Sequence, residues 1–389
     1  MTRILHISKY YYPYIGGTEQ VARDVVNALN GENIEQKVIC FNADVDDADK
    51  IYKKGDNIVD AVDGVKVYRC ACQIKIASQS ISLSYKKQLK HLMDSFKPDI
   101  VIFHYPNPFV AHYLLKYKKR KFKLILYWHL DITKQKILGK LFYKQNYRLL
   151  DRADRIIATS PNYIEGSQFL SRYREKCVMI PNCINTERLN VTESIKKCAV
   201  ELREKYKDKV LCLAVGRHVP YKGMEYLVKS AAFLDDNFKI CIGGNGPLTE
   251  QLKTIAKDDD KVEFLGRLSD KDLIAYFMAC DVFCFPSVTK NEAFGIALAE
   301  GMYFGKPAVT FTIPGSGVNY VNLDGVTGIE CKNADCKDYA KAINKLGKDK
   351  ELCKVYGNNA RKRVLEDFTI EQFKRNLVEI IQNVIFIKG

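Results

Sequence analysis

The chain of 389 residues is long enough for two domains of ordinary size. Hydrophobic residues make up 47% of it and charged residues 28%, a balance that excludes a largely disordered protein. The apolar run at the amino terminus is too short for a signal peptide, and no run of about 18 or more apolar residues occurs, so we expect a cytoplasmic protein. The formal net charge of +15 indicates an anionic partner: nucleic acid, an acidic membrane surface or a phosphorylated substrate.

The first part of the chain alternates between apolar runs and segments with helical spacing. The segment TEQVARDVVNAL at 18–29 places Val21, Val25 and Leu29 on one helix face, and we expect Thr18 to cap that helix. The apolar runs predict buried strands at RILHIS (3–8), QKVICF (36–41), DIVIFH (99–104), KLILYWH (123–129) and RIIATS (155–160). This alternation predicts a parallel sheet with helices on both faces.

A second series of the same kind follows a charged helical segment. Its apolar runs predict strands at VLCLAVG (210–216), FKICIGG (238–244), VEFLG (262–266), VFCFP (282–286) and PAVTF (307–311). We therefore predict two Rossmann-like, doubly wound α/β domains, at 1–185 and 186–368. Residues 369–389 are amphipathic and no strand follows them, so we expect a helix there that packs back across the domain junction.

Ligands of open parallel sheets bind beyond the carboxyl ends of the strands, so the residues that follow the predicted strands are the informative ones. Gly16 and Gly17 come just before the first helix, where backbone amides can face an anion, although a plain tight turn explains the same glycines. Arg217 and Lys222 follow a strand of the second domain and would suit a diphosphate. Two exposed loop cations without a role are the alternative.

The segment NEAFGIALAEG holds two carboxylates eight positions apart, Glu292 and Glu300, at the expected start of a helix. Each carboxylate can bind a pair of sugar hydroxyls, and the free amides at the helix start can bind phosphate oxygens between them. These amides belong to Phe294, Gly295, Ile296 and Ala297. The pattern suits a sugar–diphosphate–ribose ligand, with Glu292 on the sugar and Glu300 on the ribose. The alternative is that Glu292 only favours the helix dipole and Glu300 is a surface residue.

Two further features leave alternatives open. His129 ends an apolar strand beside Trp128, and it is either a core residue or a catalytic one, with Asp131 placed to orient it or to cap the next helix. The thirteen cysteines form no CxxC pair, and Asp44 and Asp46 fall in an acidic loop, so we expect no metal site.

Much of the positive charge lies between residues 114 and 148, interleaved with apolar and aromatic residues. A solvated helix face explains this pattern, and so does a helix that lies on anionic lipid. Nucleic acid is the least favoured partner because no recognition motif accompanies the charge.

Together these motifs resemble glycosyltransferase family 4, the retaining nucleotide-sugar transferases of the GT-B fold, in which two Rossmann-like domains face a central cleft. The resemblance spans the chain and is most specific in GRHVPYKG (216–223) and NEAFGIALAE (291–300). The segments KYYYPYIGGTE, IPNCIN, GGNGPL, FLGRLSD and YFMACDVFCFPS follow in the order that the family has.

The resemblance implies roles for individual residues. Arg217 and Lys222 would bind the donor diphosphate, Glu300 the ribose and Glu292 the transferred sugar. The other implied contacts are the base with the backbone around Leu268, the phosphates with Gly17 of the other domain, and the sugar, near its 6-hydroxyl, with His129. The family also implies retention of configuration by front-face attack, with no metal or other cofactor.

The segment YWHLDITKQK at 127–136 is similar to bacterial mannosyl- and rhamnosyltransferases of surface polysaccharide assembly. This similarity implies GDP-mannose as the favoured donor, with a UDP-sugar as the alternative. It also implies a lipid-linked saccharide acceptor and a peripheral location at the inner face of the membrane, bound through 114–148. A GT-B sugar-nucleotide epimerase and a non-enzymatic basic protein that binds lipid or nucleic acid are the competing classes.

Overall fold

The computed structural model describes residues 1–14, 16–47, 50–76, 79–117, 121–131, 136–257 and 259–386. Their contacts divide the chain into two compact units. The N-terminal unit comprises Met1–Thr159, Ser167–Ile180 and the chain from Phe373 on, and the C-terminal unit comprises Ser160–Gly166 and Pro181–Gln372. The main division after Ile180 lies five residues before the boundary that we predict from the sequence, and the last helix groups with the N-terminal unit.

The N-terminal unit is built on an eight-stranded sheet. The strands of this part of the chain are β1 (Thr2–Ile7), β2 (Ile34–Phe41), β3 (Val45–Asp47), β4 (Lys50–Tyr52), β5 (Ile58–Val62), β6 (Val65–Cys70), β7 (Ile74–Ile76), β8 (Gln79–Ile81), β9 (Ile100–Tyr105), β10 (Lys123–Trp128), β11 (Arg155–Ala158) and β12 (Cys177–Met179). The sheet order is β12-β11-β10-β9-β1-β2-β6-β5, and all pairs are parallel except β5 with β6. The remaining four strands form two small antiparallel hairpins, β3-β4 and β7-β8.

The helices of this part of the chain are α1 (Gly17–Ala28), α2 (Tyr85–Ser95), α3 (Pro108–Lys116), α4 (Lys136–Arg152) and α5 (Pro161–Gly166). By its contacts, α5 belongs to the C-terminal unit. The predicted cap of α1 is wrong, because the helix begins one residue before Thr18 and its N-cap is Gly16, which carries no side chain that could cap it. The expected amphipathic face is present, since Val21, Val25 and Val26 are buried. Apolar spacing therefore locates the helix, whereas its first residue depends on the local backbone.

The basic stretch at 114–148 does not form one continuous helix. It contains the end of α3, the strand β10 and most of α4, while 118–120 and 132–135 lie outside the described residues. The middle of β10 is fully buried, including Leu124, Ile125 and Leu126. Among the described residues of this stretch, the buried middle of β10 is therefore not available to an external partner.

The C-terminal unit is built on a six-stranded parallel sheet of order β15-β14-β13-β16-β17-β18. Its strands are β13 (Val210–Val215), β14 (Phe238–Gly243), β15 (Val262–Gly266), β16 (Val282–Phe285), β17 (Ala308–Phe311) and β18 (Gly328–Cys331). Its helices are α6 (Glu193–Lys205), α7 (Met224–Ser230), α8 (Thr249–Ala256), α9 (Asp270–Ala279), α10 (Ile296–Tyr303), α11 (Val318–Val321), α12 (Cys336–Lys348) and α13 (Lys350–Asp367). The core strands are buried on both faces, which explains why the sequence shows them as continuous apolar runs.

The last helix, α14 (Ile370–Phe386), buries an apolar stripe that includes Phe373, Leu377 and Val384. Lys374 of this helix forms an ion pair of 2.7 Å with Glu32 of the N-terminal unit. Among the described residues, no helix combines the length and the apolar character needed to cross a bilayer, and no cluster of three or more potential metal ligands occurs.

Candidate functional site

The loop that follows β13 packs against the end of β16 in the C-terminal unit. Lys222 ends a short 3-10 turn at Pro220–Lys222, and Gly223 comes next with φ of 62°. A Cβ on Gly223 would lie 2.0 Å from the carbonyl oxygen of Pro286, so both the backbone angle and the close contact require glycine. The amide of Val288 donates to the carbonyl of Tyr221 at 3.0 Å and joins the two loops further.

This packing brings Lys222 and Glu292 together. The Lys222 Nζ pairs with Glu292 Oε2, and the Ser287 hydroxyl donates to the same oxygen at 3.1 Å. The Lys222 ammonium also lies 4.9 Å from the centre of the Phe285 ring. Both side chains of the pair are mostly buried, whereas Arg217 is exposed at the start of the same loop. The structure therefore brings together Lys222, expected to bind the diphosphate, and Glu292, expected to bind the sugar, where the loops after β13 and β16 meet.

The helix between the two carboxylates begins slightly later than expected. Its N-cap is Gly295 with φ of 99°, and its first residue is Ile296 rather than Phe294 or Gly295. The first intrahelical bond runs from the amide of Ala299 to the carbonyl of Gly295 at 3.1 Å, which leaves Ile296 and Ala297 without intrahelical acceptors. The side chain of Phe294 is buried and meets Phe368 edge-on, with the ring centres 5.2 Å apart.

Glu300, the fifth residue of α10, is held by a cation that the sequence reasoning missed. The Arg188 Nη2 pairs with Glu300 Oε1, and the Arg188 Nη1 donates to Asp270 Oδ1 at 2.7 Å. Burial raises the pKa of Glu300 above its usual range, and the charge of Arg188 opposes this shift. Arg188 lies 112 positions before Glu300, so no local pattern connects the two residues.

Leu268 and the glycines of GGNGPL lie at the adjacent strand end. A Cβ on Gly243 would meet the Leu268 side chain at 2.9 Å, so Leu268 packs directly on the end of β14. A Cβ on Gly244 would lie 2.0 Å from the carbonyl oxygen of Gly216, and one on Gly246 would lie 2.4 Å from that of His218. Close contact of the loop after β14 with the loop after β13 therefore explains why Gly244 and Gly246 are glycines, without any ligand.

In the N-terminal unit, Gly17 is the first residue of α1, and a Cβ there would meet no atom within 4 Å. The loop before this helix is held by Arg69, another residue that the sequence reasoning missed. The Arg69 guanidinium donates to the carbonyl of Tyr12 at 2.6 Å and pairs with Asp60 at 3.1 Å. Packing within the protein thus fixes the loop, but it does not explain the glycine at position 17.

His129 is buried and contacts a second histidine. His129 Nε2 and His104 Nδ1 are 3.1 Å apart, and their rings stack with centres 5.4 Å apart. The ring of His6 stacks on His104 in turn at 6.2 Å. Burial lowers the pKa of His129 to about 3 and that of His6 to about 4. All three rings are therefore neutral at physiological pH, since burial also holds the pKa of His104 far below its usual value.

The unpaired nitrogens of this array indicate where the protons lie. Within the described part of the chain, His6 Nδ1 and His104 Nε2 are buried without a hydrogen-bond partner. A buried lone pair without a partner costs less than a buried N–H without one. We therefore place the His104 proton on Nδ1, from which it is donated to His129 Nε2, and the His129 proton on its own Nδ1.

Asp131 contacts residues other than the imidazole of His129. Its Oδ1 accepts from the indole N–H of Trp128 and from the hydroxyl of Ser167, both at 2.9 Å. The Trp128 ring stacks on Tyr105 with the centres 3.8 Å apart. These contacts of Asp131 hold the end of β10 in place. The hydrogen-bond partner of His129 is instead His104, which the sequence reasoning missed. Residues 132–135, where Asp131 could cap a helix, lie outside the described residues.

Comparison with known proteins agrees with this architecture. Residues 15–188 match the family described as Glycosyltransferase Family 4, and residues 200–363 match the family described as Glycosyl transferases group 1. The chain is 33% identical to O-antigen chain mannosyltransferase C of Escherichia coli, over 95% of each protein. It is 31% identical to D-rhamnosyltransferase WbpZ of Pseudomonas aeruginosa, over 94% of this chain and 92% of that protein.

Among solved structures, sucrose-phosphate synthase from Thermosynechococcus elongatus superposes with a TM-score of 0.81 over the full length of both chains, at 18% identity. The fold is thereby shown to be GT-B, with two Rossmann-like domains that each contain a parallel sheet. With two family matches that cover both halves of the chain and an end-to-end relative above 30% identity, this protein belongs to glycosyltransferase family 4.

Proposed function

We propose that this glycosyltransferase moves a hexose, with mannose favoured, from a nucleotide diphosphate sugar to a lipid-linked saccharide in cell-surface polysaccharide assembly. The observation that carries the donor assignment is the pair of carboxylates around the start of α10, Glu292 beside Lys222 and Glu300 beside Arg188. The E. coli relative, named as an O-antigen chain mannosyltransferase, supports the choice of sugar and of pathway class, and the P. aeruginosa relative, named as a D-rhamnosyltransferase, supports the transfer of a hexose.

The proposed donor contacts follow the order of the groups in a nucleotide sugar. Glu300 accepts from the ribose hydroxyls, and the backbone beside Leu268 contacts the base. Arg217, Lys222 and the first amides of α10 bind the diphosphate, while Glu292 accepts from hydroxyls of the sugar. A diphosphate would provide Lys222 with a second anionic partner next to Glu292, in a site where both side chains are mostly buried.

The proposed reaction retains the configuration at the anomeric carbon. The bond from that carbon to the phosphate oxygen breaks, and the acceptor oxygen forms its bond on the same face. The departing phosphate oxygen takes the proton of the acceptor hydroxyl, so no side chain acts as the nucleophile. Arg217, Lys222 and the helix amides stabilise the charge that develops on the diphosphate. His129, protonated on Nδ1, donates to a sugar hydroxyl. The scheme uses no metal ion, so a chelator should leave the transfer rate unchanged.

Calorimetric binding of GDP and UDP to the wild type and to Glu300→Ala tests the donor site. We expect one nucleotide to bind more tightly, and the variant to lose about 1.5–3 kcal/mol of binding free energy, the range for hydrogen bonds to a charged group. This corresponds to a loss of roughly ten- to more than a hundredfold in affinity. Glu263→Ala is the matched control, because Glu263, like Glu300, pairs with a cation, here Lys205 at 2.9 Å. Unchanged affinity in Glu300→Ala would refute the ribose contact.

We also propose that the N-terminal unit rests on an anionic membrane surface at the cytoplasmic side. Partial burial, followed by the positive charges of Lys116, Lys86 and Arg148, lowers the pKa of His112. Helices α2, α3 and α4 therefore each direct one cation toward His112. We call Lys86, His112, Lys116 and Arg148 the basic face. Tyr143 of α4 is 40% exposed and supplies an aromatic ring of the kind found at membrane interfaces.

Sedimentation with phosphatidylcholine vesicles, with and without phosphatidylglycerol, tests the basic face. We expect binding only to the anionic vesicles, weakened by added salt and by Lys86→Glu combined with Arg148→Glu. Lys229→Glu combined with Lys253→Glu, on helices of the C-terminal unit, is the matched control. Equal binding by the two double variants would contradict the proposal.

A further inference from the structure

Arg188 of the C-terminal unit has no role in the donor contacts proposed above, although it pairs with Glu300. The segment just before Arg188 is hydrogen-bonded to the end of the same unit, because the amide of Ile184 donates to the carbonyl of Phe368 at 2.9 Å. The Asn185 side chain accepts from the Arg188 amide at 3.0 Å, and Leu189 is buried. The backbone at Arg188 is therefore held in place, and the two carboxylates that its guanidinium pairs with, Asp270 and Glu300, set the direction of the side chain.

The guanidinium lies between two carboxylates of different exposure. The Glu300 side chain is 9% exposed and the Asp270 side chain 63% exposed, with Arg188 between them at 32%. A carboxylate as buried as that of Glu300 is costly to ionise without a cationic partner. The pair with Glu300 therefore matters more than an ion pair on the surface, which contributes little to stability. Arg188 is thus positioned to keep the buried carboxylate charged.

The charge on Glu300 matters for the ligand that it is proposed to hold. An ionised carboxylate only accepts hydrogen bonds and can take one from each of two neighbouring hydroxyls, whereas a protonated one has lost part of that capacity. Arg188 binds Oε1 of Glu300 and also binds Asp270, which is the first residue of α9 and lies two positions after Leu268. One side chain therefore connects the proposed ribose contact with the loop proposed to meet the base.

We propose that Arg188 is a positioning residue for the donor nucleotide, which holds Glu300 ionised and oriented for the ribose and ties it to the base-side loop. This inference rests on the proposed ribose role of Glu300. Among the described residues, the charged groups that face Glu300 are Arg188, from the segment before α6, and Asp270, from the start of α9. Without Arg188, the burial of Glu300 and the negative charge of Asp270 both favour the protonated form.

Nucleotide affinity across pH 6 to 8.5, measured by calorimetry with GDP or UDP, whichever the wild type prefers, tests the proposal. The terminal phosphate of the nucleotide also titrates here, so the informative quantity is the ratio of variant to wild-type affinity at each pH. We expect Arg188→Met to bind roughly tenfold more weakly at the high end and at least another several-fold more weakly at the low end. The sign follows from a raised Glu300 pKa, because the carboxylate is protonated as the pH falls.

Conservative and double variants separate a charge effect from a general loss of structure. Arg188→Lys keeps the charge, so its affinity ratio should stay constant with pH. Glu300→Gln should bind the nucleotide weakly at every pH. The affinity ratio of the double variant Glu300→Gln, Arg188→Met should likewise stay constant with pH. Arg203→Met is the matched control, because Arg203 pairs with Asp281 at 3.0 Å near the amino ends of β13 and β16.

A ratio for Arg188→Met that stays constant with pH, or a pH dependence that persists in the double variant, would overturn the role of Arg188. These results leave the donor site intact if Glu300→Gln still weakens binding. Wild-type affinity in Glu300→Gln would instead show that the ribose contact itself is wrong, and the role of Arg188 would fail with it.

Discussion

The residues proposed as functional groups lie at equivalent positions in the two units, just beyond parallel strands, but they are held by different kinds of partner. In the C-terminal unit, Glu292 and Glu300 are each paired with a cation, Lys222 and Arg188. In the N-terminal unit, His129 is stacked in an array with His104 and His6, all deeply buried, and its hydrogen bond is to His104. Burial raises the pKa of Glu300 and the charge of Arg188 opposes this shift, whereas burial lowers the pKa of the stacked imidazoles and keeps them neutral.

The difference corresponds to the partners proposed for each unit. A diphosphate is bound best by cations and sugar hydroxyls by carboxylate oxygens, and the ion pairs of the C-terminal unit contain both kinds of group. A neutral imidazole donates one hydrogen bond and adds no charge beside the sugar. The comparison also predicts that the two units respond differently to acid, to loss of charge and to loss of orientation.

Acid should destabilise the N-terminal unit far more than the C-terminal unit. Unfolded histidines take up protons below about pH 6.5, whereas folded His6 and His129 do so only near about 4 and about 3, so stability is lost as the pH falls through this window. Each histidine contributes about 1.4 kcal/mol per pH unit, and with His104 the total approaches roughly 4 kcal/mol per unit. The C-terminal unit contains only His218.

Tryptophan fluorescence during urea unfolding at pH 7 and pH 5.5 provides the measurement. The chain has a single tryptophan, Trp128, and its ring is buried in the N-terminal unit, so its signal reports on that unit alone. Far-UV circular dichroism follows both units together. The C-terminal unit should appear as a further transition in the circular dichroism signal. If the urea midpoint of the tryptophan transition shifts between the two pH values no more than the midpoint of that transition, the predicted contrast is contradicted.

Removing the charge of Glu292 should depress turnover and spare nucleotide binding. Glu292→Gln keeps the shape of the side chain but weakens its contact with the sugar, and we expect kcat to fall roughly a hundredfold, as for a misplaced substrate. GDP or UDP affinity should stay within about threefold, because Lys222 is then free to pair with the phosphate. Rates from a donor-hydrolysis or transfer assay and affinities from calorimetry give the two values. Loss of nucleotide binding would show that Glu292 does not act on the sugar, and Glu263→Gln serves as the matched control.

The architecture follows closely from the sequence because parallel strands are buried on both faces. VFCFP at 282–286 is an unbroken apolar run and forms β16, and VLCLAVG at 210–216 forms β13. The hairpins β3-β4 and β7-β8 were not predicted, because strands of three residues have too few positions for a period to emerge. The cap at Thr18 was wrong for a related reason, since capping depends on the backbone of one residue.

The site was only partly accessible to sequence reasoning. Glu292 and Glu300 share one helix start, so their spacing in the chain indicates their arrangement in space. Arg188 and His104 act on residues 112 and 25 positions away, through contacts that exist only once the sheet has formed. A basic residue in INTERL and a histidine at the end of DIVIFH are the only local signals, and each has many explanations.

His104 should matter through the orientation of His129 rather than through contact with the substrate. His104→Leu removes the donor 3.1 Å from His129 Nε2, so that the His129 proton is no longer confined to Nδ1. We expect kcat to fall roughly tenfold with little change in KM, the value of one neutral hydrogen bond in the transition state. His104→Asn places an amide N–H near the lost donor and should recover most of the rate. If both variants lose activity equally while Trp128 fluorescence shows an intact unit, His104 acts by packing alone and the proton placement is wrong.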